Sequence, residues 1–325
     1  MQRCFLAFGL LSPVCFLIDA PFGRFTTKSK LSINGSIGWF VMEIVSPLAF
    51  LAALPLGQSS AFPSSTRGYL SLVRDTFFSL PIARAILVVL FIVHYVNRST
   101  ISTLANPSRA KMNPLVPLSA IAFNIMNGST MGMWVGGGHP STGLSPSPET
   151  GLRDGIAARG LFVTGLVMWA VGFGSNIYHD HVLYDLKRDK LRLEADSASN
   201  PDPKQRYSIP PRTRGLYRYV SHPSYSSEWL EWLGYLVCCR ALSTATSPFP
   251  PRPLGFSSSS RSTWALSPLV PLEGWYLQPP ALFLWQEIGV MLPRARSGHK
   301  WYERTFGSKE WSDKGQKWVV IPGIY

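Results

Sequence analysis

The stretch Arg214-Gly-Leu-Tyr-Arg-Tyr-Val-Ser-His-Pro-Ser-Tyr-Ser-Ser-Glu-Trp-Leu-Glu-Trp-Leu-Gly-Tyr235 sets two carboxylates, Glu228 and Glu231, into a run of tryptophan and leucine. A carboxylate in apolar surroundings is costly unless it is paired, so its presence marks a candidate functional site. Ser224, Glu228, Glu231 and Tyr235 follow the series i, i+4, i+7, i+11. On a helix these four share one face. A polar stripe on an otherwise apolar helix suits the wall of a cofactor cavity inside a bundle.

Further along the same logic, Asn176, Asp180, Leu183 and Lys187 keep helical spacing. An amide, a carboxylate and an ammonium in one row can hold the carboxamide, ribose hydroxyls and phosphate of a nucleotide. The same row also reads as the charged end of a membrane helix. Glu43, in Trp39-Phe-Val-Met-Glu-Ile-Val-Ser-Pro47, is a lone acid in an apolar run. It needs a hydrogen-bonding partner or a proton. His94-Tyr95-Val-Asn-Arg98 ends another apolar run, with Asn106 and Arg109 beyond it. A phenol and a carboxylic acid together can donate hydrogen bonds to a carbonyl oxygen that gains charge during reaction. Tyr95 equally suits an interfacial belt. In the tail, His299 and Tyr302 stand i, i+3 among Lys300, Trp301 and Arg304, a mix able to stack on and charge-pair with a nucleotide or to lie on a membrane surface.

These residues must be positioned by helices that cross a bilayer. Of the 325 residues, 46% are hydrophobic and only 15% charged, too apolar for an ordinary soluble domain. Apolar segments recur at 4–19, 38–56, 76–96, 114–135, 160–178, 229–243 and 265–292, most of them near the ~20 residues a span requires. The expected fold is all-α, with about seven transmembrane helices. The net charge of +13 lies mainly in alternate loops and the tail, from Arg24 to Lys30, Arg98 to Lys111, Lys187 to Arg214 and Arg294 to Lys317. The positive-inside rule then places the N-terminus in the lumen and the C-terminus in the cytosol. A nucleic-acid binder would show a basic face on a soluble domain, and none is visible.

Other chemistries fit poorly. Cys4, Cys15, Cys238 and Cys239 form no CxxC or paired pattern, so neither a disulfide framework nor a zinc site is implied. His179-Asp-His181 lacks the spacing of a helical metal site, and no metal is expected. No GxGxxG opens a βαβ unit, which argues against a Rossmann domain. Residues 243–263 are low-complexity, rich in Ser and Pro.

Taken together, these motifs resemble the steroid 5-alpha-reductase family of membrane enzymes. The likeness is strongest over 160–235 and 294–325, where HKWYERTFG leads to IPGIY, and extends more weakly through WFVMEIVSP, HYVNR and NGSTMG within 22–134. The resemblance implies one membrane domain over 1–325. Spans in 1–135 would contribute the substrate carbonyl site, and 160–325 the NADPH-binding part. It implies that Glu43 and Tyr95 hold an enone carbonyl. Asn176, Asp180, Lys187, Tyr207, Glu228 and Tyr302 would line the NADPH site, with Arg98, Asn106, Arg109, Glu231, Ser224 and His299 as further contacts. The reaction would be hydride transfer from NADPH to the beta carbon of a 3-oxo-4-ene steroid or similar polycyclic lipid, in the endoplasmic reticulum membrane.

The chain departs from the family pattern in places. Ser224 stands where Asn is common, Ser227 replaces a usual Gly, Gly298 replaces a usual His, Lys187 replaces a usual Arg, and 243–263 is an insertion, either a loop or a gene-model artefact. Those changes leave open a catalytically weak relative. Enoyl-CoA, polyprenol or sterol alkene reduction remain alternatives. So does an isoprenylcysteine-type methyltransferase using S-adenosylmethionine, whose His-Pro-x-Tyr turn is similar to His222-Pro-Ser-Tyr225.

Overall fold

The computed structural model describes residues 31–58, 65–137, 156–196, 208–242 and 278–324. Within these residues the structure is helical, and its only strand-like pairings are the isolated bridges Ile33–Met112 and Val220–Trp318. The principal helices are α1 (Gly35–Ala53), α2 (Thr66–Ser79), α3 (Ile82–Val96), α4 (Ser102–Ala105), α5 (Leu115–Val135), α6 (Ile156–Asp196), α7 (Pro223–Leu242), α8 (Pro279–Phe306) and α9 (Ser308–Lys314).

Three helical stretches, Gly35–Gly57, Ile82–Ala105 and Ile156–Leu193, are long and apolar enough to cross a membrane. Exposed Leu48, Val89, Val93, Val163, Val167 and Val171 fit a lipid-facing surface, since no water-soluble fold would leave such residues out in series. The expected spans at 114–135 and 229–243 fall on α5 and α7, and the last is seen from Gln278 onward. The first, at 4–19, and the 243–263 insertion lie outside the described residues.

One expected span needs correction. Residues 76–96 are not continuous: α2 stops at Ser79, and Pro81 precedes α3. Proline forces the residue before it out of the helical region, and Leu80 is extended (φ −66°, ψ 142°). Arg67 and Arg74 ride on α2, whose first turn is capped by the Ser65 hydroxyl accepting from Gly68 N. The span is instead prolonged at its far end by a π-turn, Asn97–Ile101, and α4. The inward polar residues of α3 thus end on a widened turn, a geometry that re-aims side chains.

Two close helix pairs build the frame. On α5 the series Gly128, Gly132, Gly136 lies against the backbone carbonyls of Ser46, Phe50 and Leu54, so that any Cβ there would collide with α1. On α6 and α7, Gly172 meets the backbone of Glu231, and Gly234 meets that of Trp169. Small residues let apolar helices approach until their backbones touch, which is how helices associate where lipid removes the hydrophobic drive. Aromatic rings fill the centre: Phe91 stacks on Phe50 at 4.2 Å, and Trp232 meets Phe283 edge-on at 4.6 Å. Arg84, buried at the opposite end of α3 from Arg98, donates to the carbonyls of Trp134 and Val135 and so satisfies the end of α5.

Gly132→Val places a branched side chain against Phe50 O. The expected loss is about 1–3 kcal/mol, read as a lower midpoint in thermal denaturation of the detergent-solubilised chain.

Candidate active site

The polar residues of α1, α3 and α7 converge on one cluster. Arg98, at the π-turn, donates from Nε to Glu43 Oε1 (3.3 Å) and from one terminal nitrogen to Glu228 Oε2 (3.1 Å). His94, one turn earlier, sits with Nδ1 2.7 Å from Glu231 Oε1 and Nε2 3.8 Å from Glu228 Oε1. Three carboxylates from two helices are thus tied to two basic side chains of a third. The acids are enclosed, with Glu231 at 0% exposure, while the Arg98 side chain keeps 25%. Trp39 fixes Arg98 from α1: its indole donates to Arg98 O (3.2 Å), and its ring underlies the guanidinium at 5.3 Å.

Tyr95 points toward α5 and α1, where its hydroxyl accepts from Asn127 Nδ2 (3.0 Å) and lies within the electrostatic reach of Glu43. Pro47 follows Glu43 by four residues and cannot donate to the Glu43 carbonyl, which loosens α1 where the acid projects.

A second group gathers where α4 and the loop beyond it meet α6. Lys187 donates to Asn106 Oδ1 (3.2 Å) and Ser108 O (3.3 Å), and Arg188 donates to Ala105 O (3.0 Å). Arg109 donates to Ser102 Oγ (3.1 Å) and stacks on Trp39 at 4.3 Å, so Trp39 links this cationic group to Arg98. Asp180 lies between them on α6, half-buried, in the field of both Arg98 and Arg109 and within hydrogen-bonding reach of Ser224. Asn176, one turn earlier, is buried. The row Asn176, Asp180, Lys187 therefore runs from the interior toward a basic edge.

His299 and Tyr302 belong to a third group, with Ser221 and His222, which lead into α7. Ser221 Oγ lies 2.9 Å from His299 Nδ1 and 2.8 Å from His222 Nδ1. Tyr302 stacks on Trp311 at 5.6 Å. Burial pushes the His299 imidazole below its ordinary range, against the raising effect of Glu303. Gly298 has a structural cause: a side chain there would run into the His222 ring. Ser227 is also accounted for, since its hydroxyl donates to Pro223 O (2.8 Å) and meets Ser175 Oγ at 2.8 Å, joining α7 to α6.

Some sequence expectations shift. The stripe on α7 is one face, but Glu231 is sealed against His94 instead of lining an open wall, and Tyr235 donates to Leu87 O (3.3 Å) deep in the aromatic core. Tyr207 lies outside the described residues. His94 and Asn127 were not singled out as site residues. His94 was legible as a polar residue one helical turn before Arg98; Asn127 in an apolar run was the only signal for the other. Among the described residues no group of three or more His, Cys, Asp or Glu is placed to hold a metal.

A helical bundle with lipid-suited faces and an enclosed, ion-paired acid cluster defines a membrane-embedded enzyme. The family model for 3-oxo-5-alpha-steroid 4-dehydrogenase matches residues 110–266. An uncharacterised protein of Schizosaccharomyces pombe is 30% identical over 90% of this chain and 88% of its own length. Steroid 5-alpha-reductase DET2 of Arabidopsis thaliana is 26% identical, covering 95% of this chain and 88% of its own. The 3-oxo-5-alpha-steroid 4-dehydrogenase 1 of Bos taurus is 23% identical, covering 91% and 87%. The chain belongs to the steroid 5-alpha-reductase family, oxidoreductases acting on a CH–CH bond.

Arg98→Ala would leave Glu43 and Glu228 enclosed without their cation. The expected cost is about 2–4 kcal/mol, reduced from a fully buried pair because the guanidinium is partly exposed. Chemical denaturation of the purified chain, compared with Arg98→Lys as a partial rescue, checks it.

Proposed function

We propose that this chain reduces the conjugated C=C bond of a 3-oxo-4-ene steroid, or a similar polycyclic lipid, with NADPH. The observation that carries the proposal is the Glu43–Arg98–Glu228 bridge with Tyr95 beside it, in a chain of this family. The donor set suits NADPH: the cationic group of Arg109 and Lys187 matches phosphates, and Asn176, Asp180 and Glu228 match carboxamide and ribose hydroxyls. Tyr302 and His299 supply a stacking surface near the same helix entrance. NADPH, when bound, supplies the hydride that goes to the beta carbon.

The protein's own part is positioning and electrostatic stabilisation. Tyr95 and the protonated carboxyl of Glu43, whose Oε1 accepts from Arg98, donate to the 3-oxo oxygen, drawing electrons from the double bond as charge grows on that oxygen. Arg98 fixes Glu43 and Glu228 relative to each other, and so the carbonyl site relative to the cofactor site. The enclosed cluster keeps water from the reacting carbons. The architecture proposed is one membrane domain of seven spans. Its N-terminus is lumenal and its C-terminus cytosolic, in the endoplasmic reticulum membrane. Spans before residue 135 provide the carbonyl site, and residues after 160 provide the cofactor site.

Membranes carrying this chain are expected to oxidise NADPH when a 3-oxo-4-ene steroid is added, with a product two hydrogens heavier. Cofactor binding without steroid-dependent oxidation would redirect the assignment to another alkene, such as an enoyl thioester or polyprenol. Tyr95→Phe should lower kcat about 100-fold while cofactor affinity holds. Unchanged turnover in Glu43→Gln would remove Glu43 from the mechanism.

A further inference from the structure

Tyr95 can help a substrate carbonyl only if its proton points at that carbonyl. A phenol is both donor and acceptor, and its rotor follows its neighbours. Asn127, on α5 and at 0% exposure, donates from Nδ2 to the Tyr95 oxygen at 3.0 Å. That bond occupies the phenol as an acceptor and leaves its own O–H for donation. Ser46, one turn beyond Glu43 on α1 and also at 0% exposure, neighbours the phenol, but its hydroxyl falls short of full hydrogen-bond geometry with it. The Asn127 Oδ1 is buried without a partner. Native interiors rarely leave such groups unpaired.

We infer that Asn127 is a positioning residue which sets Tyr95 as a hydrogen-bond donor toward the substrate carbonyl. This rests on the reading of Tyr95 given above. Asn127 is itself held in place by the close contact of its neighbour Gly128 with α1, and by Thr130, whose hydroxyl donates to the Asn127 carbonyl at 3.1 Å. The frame that brings α5 onto α1 therefore also aims the amide. Asn127 touches no reacting atom; it acts through the phenol.

Asn127→Asp tests the polarity, because a carboxylate only accepts and would draw the phenolic proton away from the substrate. Steroid-dependent NADPH oxidation by the full chain in membranes is measured for wild type, Asn127→Asp, Asn127→Ala, Tyr95→Phe and the double variant Asn127→Asp/Tyr95→Phe. NADPH affinity is measured in each by cofactor fluorescence. In Asn127→Asp, kcat should fall about tenfold or more, with KM and NADPH affinity within about twofold of wild type. Asn127→Ala should fall less, since the phenol is then freed and not reversed. In the Tyr95→Phe background, Asn127→Asp should add no further loss. Wild-type turnover in Asn127→Asp would overturn the inference. So would losses that multiply with Tyr95→Phe, or loss of NADPH affinity in both Asn127 variants, which would mark a structural role. Absence of steroid turnover in the wild-type chain would overturn the reading of the function itself and the inference with it, a result separable from failure of the variants alone.

Discussion

The guanidinium of Arg98 joins Glu43 of α1 to Glu228 of α7 from its place on the π-turn after α3. Each acid by itself would be unsupportable in an apolar bundle, because desolvating a charge costs several kcal/mol. Joined through one planar fork, they become a junction that dictates how three helices meet. The fork matters, because two nitrogens serve two different carboxylates at once, which a point-charge ammonium does less well. Trp39 then holds the fork from beneath and extends the junction to Arg109.

The rest of the frame is shaped to let that junction form. The glycines of α5 seat it on α1, and those of α6 and α7 bring these two helices together, so Glu43 and Glu228 each ride on a closely packed helix pair. Gly172 packs on the backbone of Glu231 itself, so the helix contact and the placement of the acid are one feature. The aromatic core of Phe91, Trp232, Tyr235 and Phe283 closes the bundle on one side of the cluster, leaving Arg98 as its partly exposed edge.

The three polar groups also form an order along the bundle. The acid cluster is innermost, the Asn106–Lys187 group lies toward the end of α3 and its extension, and the His222–His299 group stands at the entrance of α7. Helix α6, at 41 residues, is far longer than a bilayer is thick, and it connects the first group to the second. Departures from the family pattern find local causes here: Gly298 yields space to His222, and Ser227 bonds to Ser175.

Much of this was legible in the residues themselves. Helical periodicity put Glu228, Glu231 and Tyr235 on one face, and apolar length located α1 and α5 closely, whereas α6 runs well past its apolar run to Asp196. Both follow from local rules, because a helix's faces and its reach are set by 3.6 residues per turn and 1.5 Å of rise. The break at Leu80–Pro81 was equally local, but the apolar run across it hid the proline's effect. The partners were a different matter. That Arg98 bridges Glu43 and Glu228, that Glu231 faces His94, and that Asn127 reaches Tyr95 depend on contacts between residues 32 to 137 positions apart. No spacing rule relates such positions. They are decided by which helices pack, at what distance and rotation, and so by the tertiary structure alone.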